Sequence, residues 1–387
     1  MKYTWCGMVM LLPLAGITLA ADTGIEGSIT QSLSYDDNFL FRDNAESTFI
    51  YNLTPQLTAY YRTQTYTSAL TGGVDFLRHS DFSDYDRTNP RLNWQQNWLR
   101  IRSSYGLGVS YQERDQRSEA ADDLGDFTTR SKVKTFSVAP SFQHQLSQRD
   151  TLTLSANYTD RRYSGSTSSN DNQSLSLNGG WSHRLSERLA LRGNLGYTRY
   201  ESDGQVQDTQ SDIWRANAGV DYDWSERTSL TLLLGATHQK TQDTRNVLFI
   251  DELGFLRIRP ETDTSTQTGS SVTMQWSHRS LLNGYSISYT RDFVPSSDGE
   301  IREQDRLNFG FTRSLSELSQ MSVNATWLQS SDENTSRDYF SITPSYSRDF
   351  SRDWSMNAQY EFRWQKRSNE DSSIDASLFR VSLVYSF

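Results

Sequence analysis

An all-β chain, folded as a transmembrane antiparallel up-and-down β-barrel of about 18 strands, is the fold this sequence predicts; 16 is the competing count. Three observations carry the prediction. Strand-length segments alternate apolar and polar residues, which puts one set on each face of a strand. The connections between them alternate between short and long, the asymmetry of outer-membrane barrels. The chain ends in such a segment, with Val381, Leu383, Tyr385 and Phe387 on one face and Arg380, Ser382 and Ser386 on the other; only Val384 breaks the pattern.

The composition agrees. Only 35% of residues are hydrophobic and mean hydropathy is −0.70, yet aromatics reach 12%. Lipid meets only alternate residues of a barrel, and aromatics gather at its two interfaces, so both values are expected together. A formal charge of −9 argues against nucleic acid as a partner.

Residues 1–20 read as a secretory signal. Lys2 supplies a basic start, Met8 to Leu19 is apolar, and Thr18-Leu19-Ala20 suits cleavage before Ala21. Cys6 is the only cysteine and lies within this stretch. Residues 21–387 are expected to be one outer-membrane barrel.

Its elements follow in order from the alternation. The first six strands are expected near 24–35, 47–61, 66–79, 85–97, 102–115 and 130–146; Phe49, Tyr51, Leu53, Pro55, Leu57 and Ala59 mark an outward set, as do Tyr105, Leu107, Val109 and Tyr111. The next six fall near 151–162, 172–185, 189–202, 210–224, 229–241 and 263–278, with Ala216, Ala218, Val220, Tyr222 and Trp224 outward. The last six fall near 284–292, 301–314, 320–331, 335–349, 353–366 and 373–387. The pair 85–97 and 102–115 is the weakest, because Trp98-Leu99-Arg100-Ile101 is an untypical turn. Helical periodicity would scatter all of these sets.

Short connections repeat a serine: Ser147-Gln148-Arg149-Asp150, Ser186-Glu187-Arg188, Ser225-Glu226-Arg227-Thr228, Ser316-Glu317-Leu318-Ser319 and Ser351-Arg352-Asp353. They read as periplasmic hairpin turns. Longer acidic stretches such as 36–46, 116–129 and 241–262 read as extracellular loops.

Candidate functional residues follow from facing. Arg91, Arg184, Arg192, Arg215, Arg306, Arg363 and Arg380 are expected to line the lumen opposite Glu26, Asp75, Asp221, Asp223, Glu361 and Asp375. The signs are mixed, so no strict ion filter is implied; the charges either meet solute or pair with each other. Pro55, Pro90, Pro140 and Pro344 each remove a ladder donor and predict bulges or a shaped constriction. The histidines 79, 144, 183, 238 and 278 lack metal-ligand spacing, and no catalytic, cofactor or metal site is read. Residues 241–262 contain Val247-Leu248-Phe249-Ile250 and Leu253-Gly254-Phe255-Leu256, apolar surface that calls for a partner. A rim hairpin and a plug are both open; the expectation taken forward is that Phe249, Leu253 and Phe255 constrict the lumen or its mouth.

One resemblance adds to this. Ser34-Tyr35-Asp36-Asp37-Asn38-Phe39-Leu40, followed by Phe49-Ile50-Tyr51-Asn52-Leu53-Thr54-Pro55-Gln56-Leu57, resembles the opening of β-barrel proteins encoded in exopolysaccharide and exosortase-type gene clusters. Trp181-Ser182-His183-Arg184-Leu185-Ser186-Glu187-Arg188 is similar to their repeats. The resemblance implies a passive exit port for a secreted polysaccharide, without catalysis, served by periplasmic and inner-membrane export proteins. Outer-membrane lipid and the barrel-assembly machinery are further expected partners, with Tyr385 and Phe387 as the assembly signal. A general diffusion porin and a non-conducting structural or adhesive barrel remain the alternatives.

Overall fold

In the computed structural model, residues 21–115, 117, 131–165, 170–204, 207–250, 255–295, 301–331, 336–368 and 372–387 are described. The expected signal at 1–20 lies outside them. The alternating segments form 18 strands. These are β1 (Asp22–Asp36), β2 (Thr48–Arg62), β3 (Tyr66–His79), β4 (Arg87–Leu99), β5 (Ser103–Asp115) and β6 (Lys132–Gln145). Then come β7 (Asp150–Ser164), β8 (Asp171–Arg184), β9 (Leu189–Asp203), β10 (Gln207–Ser225), β11 (Thr228–Ile250) and β12 (Leu256–Arg279). The last are β13 (Asn283–Pro295), β14 (Ile301–Ser316), β15 (Ser319–Ser331), β16 (Ser336–Asp349), β17 (Trp354–Arg367) and β18 (Ser373–Ser386).

Every strand pairs antiparallel with its sequence neighbours, and β1 also pairs with β18. The sheet therefore has no edge. In a lipid medium each unpaired backbone group costs several kcal/mol, and closure is the one way a sheet avoids that cost. The last residue completes the seam: Phe387 N–H donates to Gly27 O at 2.9 Å, and Gly27 N–H donates to Phe387 O at 2.8 Å. The Phe387 ring occupies the space a side chain at Gly27 would need.

Large exposed side chains fall on the expected outward set, among them Phe49, Leu195, Trp214, Tyr360 and Phe379. Aromatic pairs cross the ladder at the strand ends on this face, as Tyr66–Trp98 at 5.4 Å and Trp354–Tyr385 at 4.9 Å. The intervening residues face inward and are mostly Ser, Thr, Asn and Gln.

The doubted β4–β5 pair is real. Trp98 and Leu99 belong to β4, and the turn is the three residues 100–102 with Ile101 fully exposed at its tip. The serine turns have a common mechanism. Ser147 Oγ accepts the N–H groups of Arg149 and Asp150; Ser186 serves Arg188 and Leu189, and Ser351 serves Asp353 and Trp354, in the same way. A hydroxyl at the first turn position caps the reversing backbone. The prolines act as gaps in single ladders. Pairing skips two residues beside Pro55, Pro140 and Pro344, while the strand on the other side stays paired.

The largest boundary difference is at β11–β12. Strands expected over 229–241 and 263–278 run on to Ile250 and Leu256, paired throughout. At 23 and 24 residues they exceed the 13 to 19 of the other strands and stand as a hairpin above the rim.

Deleting Phe387 removes both seam hydrogen bonds and the ring over Gly27. The folded, heat-modifiable band in outer membranes is expected to fall several-fold, whereas Phe387→Leu retains most of it. Equal folded yield from the deletion would mean that the seam closes without this residue.

Candidate functional site

The inward face carries short networks between neighbouring strands. On β3 and β4, Asp75 receives Arg91 at 3.2 Å and the Thr54 hydroxyl at 2.7 Å, while Arg91 also donates to Gln56 at 2.8 Å. Arg192 meets Asp221 at 2.6 Å, and Thr231 donates to the same carboxylate. Arg215 reaches across β11 and β12 to Asp292 at 2.5 Å, where Thr237 also donates. Four of the seven expected arginines, Arg91, Arg192, Arg215 and Arg363, are thus paired with a carboxylate in the wall. Arg380 donates to Ser34 at 2.9 Å. Arg306 and Glu361 are half-buried inward positions; Arg184 and Asp223 lie exposed at the periplasmic ends of their strands. Asp375 is a correction. It stands opposite Trp364, so it belongs to the outward register and is exposed.

At the extracellular end the β1–β2 connection, which reads as an ordinary loop in the sequence, narrows the mouth. Residues 37–47, between β1 and β2, fold into the barrel mouth. Phe39, Leu40 and Phe41 are 2%, 8% and 3% exposed. Phe39 and Leu40 pack with Tyr85 of the short helix Ser83–Tyr85 and with Ile50 and Phe82. Phe41 packs on the opposite flank with Leu328 of β15, Tyr339 of β16 and Ala376 of β18. The loop therefore bridges the inward faces of non-adjacent strands.

Its anchor is Asp36, fully buried at the top of β1. Arg363 of β17 meets its Oδ2 at 2.9 Å and Arg117, from the β5–β6 connection, at 3.2 Å. Asn38 N–H donates to Oδ1. Each guanidinium also lies over a loop ring, Arg117 at 3.6 Å from the Phe39 centroid and Arg363 at 5.7 Å from that of Phe41. One carboxylate thus fixes two cations that in turn cover the two apolar anchors. Burial pulls the Arg117 guanidinium down to about 10, opposed by the Asp36 charge, so it stays protonated at neutral pH. Asp37 and Asn38 complete the docking. Ser377 N–H donates to Asp37 Oδ1 at 2.6 Å, Asn38 Nδ2 donates to the carbonyls of Arg42 and Asp375, and Arg42 N–H donates back to Asn38 Oδ1. Phe41 has φ of 51°, a left-handed conformation costing about 1–2 kcal/mol that these contacts hold in place.

The constriction expected at 241–262 is corrected. Ile250 pairs with Leu256, and Leu248, Ile250, Phe255 and Ile258 are 64–70% exposed. Phe249 is half-covered and lies 5.2 Å from the Arg259 guanidinium; Leu253 falls outside the described residues. Backbone pairing continues past the rim, so the apolar side chains project from a free hairpin instead of turning inward. Asp36, Phe39, Phe41 and Arg117 were missed as site residues. Their signal was the Phe39-Leu40-Phe41 triplet directly after two acids, which is apolar surface in a loop just as at 247–258. The histidines take structural roles: Asp150 holds His183 at 2.7 Å, Ser103 holds His144 at 2.8 Å and Thr228 holds His278 at 2.8 Å. His79 packs under Phe39 at 4.9 Å and meets Asp86.

Residues 123–258, about a third of the chain, match a family model described as "Putative MetA-pathway of phenol degradation". No curated protein sequence matches the chain. Among solved structures, it is similar to the ferric-catecholate import receptor Fiu of E. coli K12 in its open form, with 9% identity, 95% of this chain and 82% of that chain covered, and a TM-score of 0.55. The ferric citrate transporter FecA, unliganded, gives 8% identity, 95% and 79% coverage, and a TM-score of 0.52. The copper transporter OprC gives 13% identity, 92% and 64% coverage, and a TM-score of 0.50. At such identities the likeness is one of fold. The protein is an outer-membrane β-barrel of a Gram-negative bacterium.

Asp36→Asn leaves two buried guanidinium groups facing a neutral amide, a loss of about 3–5 kcal/mol in loop docking. Trypsin is expected to cleave after Arg42 in the variant on intact cells and to spare the parent chain, with the barrel still heat-modifiable. Equal protection of both chains would show that the loop is held without the carboxylate.

Proposed function

We propose that this barrel is a passive diffusion channel for small hydrophilic solutes, narrowed at its extracellular mouth by the loop 37–47. The observation that carries the reading is the inward face below the loop: mostly hydroxyls and amides, with ion pairs such as Arg91–Asp75, Arg192–Asp221 and Arg215–Asp292. Such a wall solvates water and small polar molecules and favours neither ionic sign strongly. Eighteen tilted strands enclose space beyond what inward side chains fill. The chemistry needs no cofactor and no catalytic residue; the lumen supplies hydrogen bonds and exclusion by size.

Polymer export, implied by the sequence resemblance, is less well supported. A polysaccharide must pass the mouth as a continuous chain, and Phe39 and Phe41 reach both flanks of that mouth. Export would require the whole Asp36 assembly to undock. Periplasmic export proteins and the polymer itself remain part of that reading only. The matched family description names phenol degradation, which adds a small aromatic solute; the polar wall favours it less than a hydrophilic one. Removal of residues 1–20 and assembly through the Tyr385 and Phe387 end belong to the same reading of a secreted barrel.

Liposomes carrying the purified barrel test the channel directly. Swelling is expected in arabinose or glucose and to fall away sharply for oligosaccharides of four or more units. Deleting residues 39–41 is expected to raise that cut-off. No swelling with any solute, in either chain, would contradict the reading and favour a non-conducting barrel.

A further inference from the structure

The lumen wall carries a pairing that the channel reading does not use. Five inward asparagines each face a glycine on the adjoining strand: Asn97 with Gly106, Asn178 with Gly196, Asn194 with Gly180, Asn217 with Gly235 and Asn324 with Gly310. The amide oxygen lies over the glycine in each case. A methyl added at Gly180 would sit 2.9 Å from Asn194 Oδ1; the same construction gives 3.0 Å for Gly196 and Asn178, 3.3 Å for Gly106 and Asn97, and 3.5 Å for Gly310 and Asn324. A side chain opposite would push these amides off the wall, so glycine lets each lie flat across the ladder with its oxygen against the neighbouring strand.

Three of them converge. Asn178, Asn194 and Asn217, on β8, β9 and β10, line a recess of about 270 Å³ with Thr153, Ser155, Arg215 and the apolar Leu233. Asn217 Oδ1 and Arg215 Nε are buried and have no hydrogen-bond partner among the described residues. Arg215 is already neutralised by Asp292 at 2.5 Å. The recess therefore offers acceptors and donors in pairs but no uncompensated charge. An amide group presents one acceptor oxygen and two donor hydrogens, which complements a hydroxyl that donates and accepts at once. A carboxylate or an ammonium would find half of these groups mismatched. The volume equals roughly nine waters at about 30 Å³ each, enough for one sugar ring to displace them.

We propose that this recess is a binding subsite for a neutral polyhydroxylated solute, a single sugar ring, within the lumen. The proposal rests on the channel reading for how the sugar arrives, but binding itself does not require conduction. Asn178 and Asn194, with the Asn217 amide nitrogen, supply hydrogen bonds to vicinal hydroxyls. The other Asn–Gly pairs, on β4–β5 and β14–β15, repeat the same surface elsewhere around the wall.

Saturation-transfer NMR on the full barrel in detergent, with maltose and with gluconate as the charged comparator, reads binding independently of transport. The parent chain is expected to give a saturable maltose signal and a weaker gluconate one. In N178L/N194L/N217L the maltose signal is expected to fall at least tenfold, and in N178S/N194S/N217S, where small polar groups remain, to fall less; heat-modifiability checks both for folding. Planar-bilayer recordings then add that maltose lowers the ion current of the parent and not of the leucine variant. Maltose binding unchanged by either triple substitution, or gluconate binding more strongly than maltose to the parent, would overturn the subsite. Maltose binding without any ion current would instead overturn the channel reading and leave the subsite standing.

Discussion

Closure of the backbone ladder in a medium without water is the constraint on which the rest of this molecule depends. A sheet in lipid must leave no free N–H or C=O, so β1 has to find β18, and the Phe387–Gly27 hydrogen bonds extend that seam. Once the ring is closed, outward and inward positions are fixed for every strand by parity alone. A one-residue slip anywhere would exchange the lipid face for the lumen face. That rigidity makes the wall usable. Arg91 reaches Asp75, Arg192 reaches Asp221, and Asn178 and Asn194 meet their glycines only because register holds around the circumference.

The second level of organisation is a loop that treats the lumen as a core. Residues 39–41 bury three apolar side chains, and they do so on inward apolar residues at the extracellular end, such as Ile50, Leu328, Tyr339 and Ala376. The same strands carry hydroxyls and amides lower down. The inward face thus offers an apolar collar that receives the loop, with a mainly hydrogen-bonding wall beneath it. Asp36 joins the two, since it ends β1 and holds cations from β17 and from the β5–β6 connection.

Strand existence was legible because period-two alternation is local, and all 18 strands follow from it. Boundaries failed where pairing does not depend on lipid. β11 and β12 continue past the rim through a stretch whose polar residues look like loop but whose backbones remain in register. Asp375 failed for a related reason: it lies near the end of a strand, above the apolar band, where composition no longer reports facing. The docking of loop 37–47 in the mouth is not legible in the sequence because it depends on residues distant along the chain. Nothing near Asp36 announces Arg363 or Arg117. The motif Asp36-Asp37-Asn38, noticed only as a resemblance, turns out to have a physical content, with one acid for the guanidinium pair, one for Ser377 N–H, and an amide that ties Arg42 to Asp375.

The central claim is that residues 39–41 rest inside the mouth, spanning from the β2–β3 flank to the β15–β18 flank. The only native cysteine, Cys6, lies in the expected signal, so introduced thiols report cleanly. The most direct measurement is disulfide trapping on intact cells in a chain carrying Phe41→Cys and Leu328→Cys, whose parent side chains pack in one cluster. Rapid cross-linking, seen as an altered mobility that reductant reverses, is the predicted result. No cross-link, with both thiols reacting freely with a bulky impermeant maleimide, would place the loop outside the mouth and contradict the account.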